Sequence, residues 1–309
     1  RGRKLPNAHG TAPGAWFEDA QGRAAALLPG VPHEMKAMWT EDVRPILEAR
    51  QNCTIHSMTL RVLGGESDIA SRVAPLFESA NPTAAIYCKT GESEIRVTAR
   101  AANRAAAEAA CRARIEEFRA ILGDNAYDVD VPGLAYTVVR TLRERGLQAA
   151  TAESCTGGLV AEQLTAVPGA SEVFGTGFVT YAAAAKTRLL GVDPALIERC
   201  NVVSAPVAAA MARGALAASG ADLSVALTGL AGPGGALPGK PVGTVYLAGG
   251  DARTGCVHVA RLNLCGYGDR AIIRARAALQ ALDLLRRMAL GLAPVNAVTL
   301  APGQQAPEL

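Results

Sequence analysis

The sequence predicts an α/β protein in which a large α/β domain over residues 131–290 follows a smaller α+β module over residues 54–125. Helical and extended patterns alternate along the larger segment, as they do in sheets that are covered by helices on both faces. Half of the 309 residues are hydrophobic, so the chain can bury a sizeable core and wholesale disorder is excluded. Residues 1–50 are rich in Gly and Pro and form a third stretch of different character.

In the larger domain, the spacing of apolar residues predicts helices at 134–145, 158–164, 205–219 and 269–290. Short apolar runs predict strands at 148–152, 177–181, 223–228, 243–249 and 255–264. We expect a largely parallel or mixed sheet under helices on both faces. Gln and Pro are enriched after the last helix, so residues 291–309 are predicted to form a disordered tail.

The smaller module has the predicted order β-α-β-β-α, with strands at 54–63, 85–89 and 94–99 and helices at 66–79 and 103–122. Some RNA-binding folds share this order, but the chain has no basic Gly-x-x-Gly loop. The segment from Gly64 to Asp68 is acidic and would repel phosphate. A scaffold or dimerisation role is therefore favoured for this module.

The first 50 residues are predicted to contain a short buried strand at 24–28 and a helix at 34–49 that begins beside Pro32. A strand, a turn and a helix cannot bury their apolar faces alone. We therefore expect these faces to be covered by a segment that is absent here or by a partner, and a homo-oligomer, most simply a dimer, is predicted.

Charge and cysteine content exclude several classes of protein. The net charge of +3 arises from 31 basic and 28 acidic residues, which is too balanced for a nucleic-acid binder. The seven cysteines are widely spaced and include no C-x-x-C pair, so neither a disulfide framework nor a zinc site is predicted. No run reaches the roughly 18–20 apolar residues of a spanning helix. We expect a cytoplasmic protein that binds neither nucleic acid nor membrane.

The strongest local signal is the octapeptide TAESCTGG at residues 151–158, which lies where a predicted strand ends and a helix begins. The first N–H groups of a helix lack intrahelical partners and lie at the positive end of its dipole. Ser154 or Cys155 can act as a nucleophile there, with N–H groups of the turn stabilising an oxyanion. Nothing near Cys155 in the sequence indicates a lowered thiol pKa. Because Ser and Thr are also common helix caps, the octapeptide alone leaves a capping role open.

A serine nucleophile needs a base, and Lys186 is the better candidate among the residues of the larger domain. A lysine whose pKa is lowered by burial can deprotonate a serine. The histidines show no Ser–His–Asp signature, and only His258 lies in this domain. Most lysines are solvated surface residues, however, and Tyr181, five residues earlier, is equally explained by packing on the sheet.

A Gly-rich loop at residues 228–235, TGLAGPGG, follows directly after an apolar strand. Such loops bring backbone N–H groups close to an anion because no Cβ intervenes. The loop lacks Gly-Lys-Ser/Thr, so triphosphate hydrolysis is not indicated. Arg270 opens the final helix behind Asp269, a plausible helix cap, and its guanidinium can contact a phosphate through two hydrogen bonds. A plain turn and an exposed arginine remain open as alternatives.

Taken together, these motifs resemble the CinA C-terminal, or PncC-like, domain family over residues 131–290. The resemblance is carried by TAESCTGG, VPGAS at 167–171, GFVTY at 177–181 with Lys186, VS at 203–204, TGLAGPGG, KPVGTVY at 240–246 and GDR at 268–270. Upstream, GESDIA at 65–70 and the AANRAAAEA helix resemble the KH-like linker module of CinA, here residues 54–125. GTAPG at 10–14 and LPGVPHEMKAMW at 28–39 resemble the end of its molybdopterin-binding-like N-terminal domain, here residues 1–50.

The resemblance implies a nicotinamide-nucleotide amidase of NAD salvage, which converts nicotinamide mononucleotide to nicotinate mononucleotide and ammonia. It implies that Ser154 attacks the carboxamide carbon, that Lys186 is the general base and that Tyr181 helps to position groups or relay protons. N–H groups near Thr156 and Gly157 are expected to hold the oxyanion. No metal or other cofactor is implied, and the partner is a small pyridine nucleotide. The glycine loop and the arginine are expected to contact the ribose phosphate. The full set of expected substrate contacts is Glu153, Thr228, Gly232, Gly234, Gly235 and Arg270.

The chain departs from the family pattern at two places. The family usually has Ser-Asn-Glu after the tyrosine, where this chain has Ala182–Ala184, and an acidic residue where it has Ala205. Lost polar side chains of this kind can weaken a site. The second candidate function is therefore a catalytically weak scaffold or regulatory protein of the competence and DNA-damage-inducible class. The resemblance also implies that the N-terminal domain of the family is a metal-dependent ADP-ribose pyrophosphatase. Its Gly-rich, Asp-bearing motif is not in this sequence, so ADP-ribose pyrophosphatase activity is predicted to be absent.

Overall fold

The computed structural model describes residues 2–50, 53–266 and 268–309 and has the predicted α/β class. Its strands are β1 (Gly2–Leu5), β2 (Gly14–Glu18), β3 (Ala24–Leu27), β4 (Thr54–Leu63), β5 (Thr83–Cys88), β6 (Glu92–Ala101), β7 (Ala126–Val129), β8 (Ala149–Glu153), β9 (Phe174–Val179), β10 (Leu223–Gly229), β11 (Thr244–Asp251), β12 (Val257–Asn263) and β13 (Val298–Leu300).

The helices connect these strands. They are α1 (Pro32–Met38), α2 (Arg44–Glu48), α3 (Glu66–Val73), α4 (Arg104–Leu122), α5 (Leu134–Arg145), α6 (Leu159–Thr165), α7 (Ala183–Leu190), α8 (Pro194–Cys200), α9 (Ala205–Ser219) and α10 (Arg270–Leu290). The sequence did not predict α7 and α8, which are short helices of 8 and 7 residues. The chain divides into two compact units, one formed by residues 1–58, 79–83 and 97–114 and the other by the remaining residues.

The second unit contains a six-stranded mixed sheet in the order β13-β12-β11-β10-β8-β9. The strands β8, β9 and β10 run parallel, so their carboxyl ends share one edge of the sheet. The strands β11, β12 and β13 continue the sheet in antiparallel steps. This arrangement agrees with the mixed sheet that the alternating pattern predicts.

Helices cover both faces of this sheet, and the alternation of side chains along β10 shows how. Leu223, Val225 and Leu227 belong to a core that is formed with α5, α6 and α10. Ala226 lies on the opposite face, in a core that is built mainly from the alanines of α9. Because successive strand residues point to opposite faces, a continuous apolar run is required where both faces are buried.

The predicted β-α-β-β-α order of the smaller module is present as β4, α3, β5, β6 and α4. One further strand, β7, pairs antiparallel with β4 and places Leu60 opposite Val129, which gives the sheet order β5-β6-β4-β7. Four residues are too few to show a period in the sequence, which is why this strand was not predicted.

The first 50 residues form a small antiparallel sheet in the order β1-β2-β3. The prediction of a buried strand at 24–28 is wrong in its burial, since β3 is largely exposed. The predicted helix at 34–49 begins at Pro32 and is interrupted by a π-helical turn over Trp39–Val43. These segments bury an apolar cluster of their own, while Phe17, Leu27 and Trp39 stay more than 40 % exposed. The buried cluster consists of Leu5, Trp16, Met38 and Val43.

The prediction of a disordered tail over residues 291–309 differs from the structure. Val298–Leu300 form β13 at the edge of the six-stranded sheet, and the Leu300 side chain is fully buried. The strand is only three residues long and is flanked by proline, so its pattern was too short to be recognised in the sequence. None of the described helices is long and apolar enough to cross a membrane.

The last strand offers a direct test of this edge. Leu300→Ala should lower the free energy of unfolding by about 2–4 kcal/mol because it removes buried methyl groups and leaves a cavity. Val298→Ala, on the same strand but 40 % exposed, should lower it by less than about 1 kcal/mol. Urea unfolding of both variants checks the prediction, and equal losses would contradict the burial of Leu300.

Candidate active site

Ser154 lies at the carboxyl edge of the parallel strands, in the turn between the end of β8 and the start of α6. Its N–H donates to the carbonyl of Leu227 on β10, which ties the turn to the neighbouring strand at 3.0 Å. Gly157 and Gly158 have φ values of +61° and +96°, which side-chain-bearing residues rarely adopt. The glycines of the octapeptide therefore permit the sharp change of direction from strand to helix.

Lys186 extends from α7 and brings its amine to this serine. The Nζ atom lies 3.0 Å from Ser154 Oγ, 2.6 Å from the carbonyl oxygen of Thr180 and 3.5 Å from that of Tyr181. Lys186 is 1 % exposed and Ser154 is 9 % exposed. The structure thus brings together two residues that lie 32 positions apart in the sequence.

The electrostatic surroundings favour the neutral amine. Burial lowers the pKa of Lys186 from its ordinary value because a charged ammonium loses its hydration there. Among the described residues, no carboxylate forms an ion pair with it. A neutral amine has two N–H groups and one lone pair. If the two N–H groups donate to the carbonyls of Thr180 and Tyr181, the lone pair faces the Ser154 hydroxyl.

Glu153 supports the turn from inside the protein. Its side chain is fully buried, and its carboxylate accepts hydrogen bonds from the N–H groups of Gly158, Val160 and Ala161 at 2.9–3.1 Å. These N–H groups are the unpaired donors at the start of α6. Both carboxylate oxygens are thereby directed to the helix, whereas the sequence analysis expected Glu153 to contact a substrate.

The turn offers fewer unpaired N–H groups for an oxyanion than predicted. The Gly157 N–H donates to the carbonyl of Ser154 at 3.1 Å and so closes the turn. In the described part of the chain, the Thr156 N–H donates to no backbone carbonyl but interacts with the Cys155 thiol, so neither of the two expected oxyanion donors is without a contact. Burial raises the pKa of the Cys155 thiol to about 11, which disfavours the thiolate. Ser154 is therefore the better nucleophile.

Tyr181 and Arg270 meet at the solvent-facing side of the site. Tyr181 is 63 % exposed, and its hydroxyl accepts a hydrogen bond from Arg270 Nη2 at 3.1 Å. Arg270 Nη1 donates to the carbonyl of Gly232 in the Gly-rich loop at 2.8 Å. Asp269 caps α10 as predicted, since its side chain accepts from the N–H of Ala271. Among the described residues, Arg270 forms no ion pair, so its positive charge is not neutralised.

The remaining residues of the glycine loop are divided between two environments. Thr228 is buried at the end of β10, and its hydroxyl donates to the carbonyl of Val202 at 2.7 Å. Gly234 and Gly235 lie exposed on the loop. Thr228 is therefore engaged with the protein, while the two glycines face solvent on the same loop as Gly232.

Sequence reasoning did not identify Arg274, which lies one helical turn after Arg270. Its Nη2 donates to the carbonyl of Thr156 at 2.6 Å, within the nucleophile turn. An arginine at this spacing is typical of a solvated helix face, so only the three-dimensional packing indicates this contact. The Thr180 carbonyl was missed for a similar reason, because backbone acceptors leave no mark in the sequence.

The two departures from the family pattern lie in different surroundings. Ala182, Ala183 and Ala184 are exposed at the start of α7. The amine of Lys186 is held by backbone carbonyls and by Ser154, so its position does not depend on these side chains. Ala205 is fully buried at the first position of α9, behind the Ser204 cap. Within the described residues, no group of His, Cys, Asp and Glu side chains is arranged to bind a metal ion.

Comparison with known proteins matches both predicted modules. The sequence profile of the CinA C-terminal domain matches residues 132–289, and that of the damage-inducible protein CinA KH domain matches residues 57–127. A CinA-like protein of Desulfovibrio desulfuricans is 45 % identical over 95 % of this chain and 69 % of its own length. A CinA-like protein of Kosmotoga olearia is 43 % identical over 93 % of this chain and 69 % of its own length.

Among solved structures, the chain is similar to the competence/damage inducible protein CihA from Agrobacterium tumefaciens. The two are 40 % identical, and the match covers 52 % of this chain and 97 % of that one with a TM-score of 0.48.

The buried carboxylate of Glu153 can be tested by its effect on stability. Glu153→Gln should lower the free energy of unfolding by about 2 kcal/mol, because an amide offers one acceptor oxygen where the carboxylate serves three N–H donors. The matched control is Glu172→Gln, whose side chain is 59 % exposed and paired with Arg143. It should change the free energy of unfolding by less than about 1 kcal/mol. Urea unfolding measures both, and a smaller loss for Glu153→Gln than for the control would contradict the structural role.

Proposed function

The chain belongs to the CinA family, and we propose that it is an amidase that hydrolyses the carboxamide of nicotinamide mononucleotide with Ser154 as nucleophile and Lys186 as base. The observation that carries the proposal is the distance of 3.0 Å between Lys186 Nζ and Ser154 Oγ in a buried setting. A nucleophile and a base in hydrogen-bond contact, with the base oriented by further acceptors, is the arrangement that covalent hydrolysis requires.

The proposed reaction has two halves. Ser154 Oγ attacks the carboxamide carbon and transfers its proton to Lys186 Nζ, which then donates a proton to the departing ammonia. Water next attacks the resulting ester while Lys186 accepts a proton from it, and Lys186 then returns that proton to Ser154 Oγ as the bond between the serine and the acyl carbon breaks. The products are nicotinate mononucleotide and ammonia. Throughout, the Thr180 and Tyr181 carbonyls keep the amine directed at Ser154.

The opening of the site supports an anionic substrate. Arg270 has no acidic partner among the described residues, and it lies at the start of α10, where the helix dipole is positive. A phosphate group would receive charge-assisted hydrogen bonds from such a guanidinium. Gly232, Gly234 and Gly235 lie on the loop that Arg270 contacts. We propose that these residues hold the ribose phosphate, with Tyr181 between the phosphate and the amide.

The second candidate function is a scaffold or regulatory role with weak catalysis. The observation that favours it is the exposed alanine run of Ala182–Ala184, which provides no polar side chain at the start of α7. Polar groups there could contact the substrate even though they do not hold Lys186. The two candidates differ in one measurable property, which is turnover of nicotinamide mononucleotide by folded protein.

Ammonia release from nicotinamide mononucleotide tests the proposal directly. We expect release by the purified chain that persists with EDTA and falls by at least about 1,000-fold in Ser154→Ala, because the covalent step is lost. Arg145→Met serves as the control, since Arg145 is exposed and forms no hydrogen bond or ion pair within the described residues. No release from folded wild-type protein would move the scaffold role to first place.

The dependence of the rate on pH tests the role of Lys186. Burial lowers the folded pKa of this lysine below its ordinary 10.5. Because the base must be neutral, log kcat/KM should rise with unit slope while the pH is below that folded pKa. It should then level off before pH 10.5. Lys186→Arg keeps the charge but has no neutral form in this range, so it should be inactive at every pH. Activity in Lys186→Arg, or a log kcat/KM that keeps rising with unit slope through pH 10.5, would contradict the role.

A further inference from the structure

Arg274 makes an unusual contact for a helix surface residue, since its guanidinium reaches into the nucleophile turn. Its Nη2 donates to the carbonyl of Thr156 at 2.6 Å. The same atom would lie 3.5 Å from a Cβ placed on Gly157, so the guanidinium lies directly against that glycine. The helix that carries Arg274, α10, packs on α5, α6 and the sheet, which fixes the origin of the side chain.

The contact acts on a rigid unit. The carbonyl of Thr156 and the N–H of Gly157 belong to one planar peptide group and point in opposite directions. The carbonyl end accepts from Arg274 at 2.6 Å and, over a longer distance of 3.3 Å, from the N–H of Leu159, while the N–H end donates to the carbonyl of Ser154 at 3.1 Å. A rotation of this peptide group would break all three hydrogen bonds. The shortest of them comes from a guanidinium more than 100 residues away in the sequence.

Two charged side chains thus hold the turn at two different places. The Glu153 carboxylate binds N–H groups at the far end of the turn, at the start of α6. The Arg274 guanidinium binds a carbonyl in its middle. Neither residue touches the Ser154 hydroxyl or the Lys186 amine. Hydrogen bonds to charged groups are stronger than those between neutral groups, so the pair is suited to fixing a strained turn.

We propose that Arg274 is a positioning residue for Ser154, which holds the peptide between Thr156 and Gly157 so that the hydroxyl stays in line with Lys186. The proposal rests on the function proposed above. A role as a second phosphate ligand fits less well, because Arg274 Nε is buried and Nη2 is directed into the protein. Arg270 is the guanidinium that faces the opening, since it contacts the exposed Tyr181.

Steady-state kinetics of Arg274→Met, Arg274→Lys and the control Arg145→Met test this assignment with nicotinamide mononucleotide and its unphosphorylated riboside. For Arg274→Met we expect kcat to fall by about 10- to 100-fold, as for a small misplacement of a reacting group, with KM nearly unchanged. The riboside should be affected by the same factor. Arg274→Lys keeps a donor for the Thr156 carbonyl and should recover part of the loss. Circular dichroism checks folding, and if Arg274→Met does not fold, Arg274→Lys carries the test.

Other outcomes would overturn the assignment. A rise in KM that is confined to the phosphorylated substrate would make Arg274 a phosphate ligand. Rates equal to those of Arg145→Met would remove any role in the reaction. A loss that Arg274→Lys does not relieve at all would also count against it, because the lysine can still donate to the carbonyl.

Labelling of Ser154 by a fluorophosphonate tests the positioning role without relying on the proposed substrate, because the probe reacts with any activated serine. Wild-type labelling that exceeds that of Lys186→Ala, and that is slowed in Arg274→Met, would support the positioning role even if no ammonia is released. Equal labelling of wild type and Arg274→Met would overturn it. Wild-type labelling no faster than that of Lys186→Ala would overturn both the positioning role and the Ser–Lys pair.

Discussion

The amine of Lys186 is buried without a carboxylate partner in the described structure, and the geometry of the site follows from how this desolvated group is accommodated. Removing an ammonium from water is costly unless hydrogen bonds replace its hydration. The buried amine is instead accommodated in its neutral form, with the carbonyls of Thr180 and Tyr181 accepting from its N–H groups and the Ser154 hydroxyl facing its lone pair. The Thr180 N–H in turn donates to the carbonyl of Glu153. The parallel pairing of β8 with β9 therefore places the acceptor of the amine beside the residue that precedes the nucleophile.

The same edge of the sheet concentrates charge of both signs within one short turn. The buried carboxylate of Glu153 accepts hydrogen bonds from three backbone N–H groups. Its negative charge is therefore compensated by the start of α6 rather than by a cation. Arg274 approaches from α10 and binds a carbonyl rather than a carboxylate. In both cases a full charge is matched by backbone dipoles. Among the described residues, Arg270 at the opening therefore has no carboxylate partner within the protein, and its free positive charge suits the binding of an anion.

Much of the fold and part of the site could be predicted from the sequence, and the differences have physical causes. The helix α5 matches its predicted bounds because its apolar period and its terminal Gly146 are both local signals. The pairing of Ser154 with Lys186 is not local, since it depends on the register of β8 and β9. Residue types alone made Lys186 a candidate base beside the alternative of a surface lysine, and the family resemblance favoured the pairing. Arg274 could not be recognised, because its contact is set by how α10 packs. The tail was judged by composition, which does not show that Leu300 fills the sheet edge.

The alanine run beside the site illustrates why a departure from a family pattern need not reach the reacting groups. The acceptors that orient Lys186 are backbone carbonyls, which every residue type provides. Replacing polar side chains by Ala182–Ala184 therefore leaves the hydrogen bonds of the amine in place. What the change alters is the exposed surface next to Tyr181, where we propose that the substrate binds. The substitutions therefore act on binding at the opening and not on the nucleophile and its base. We expect them to change KM more than kcat.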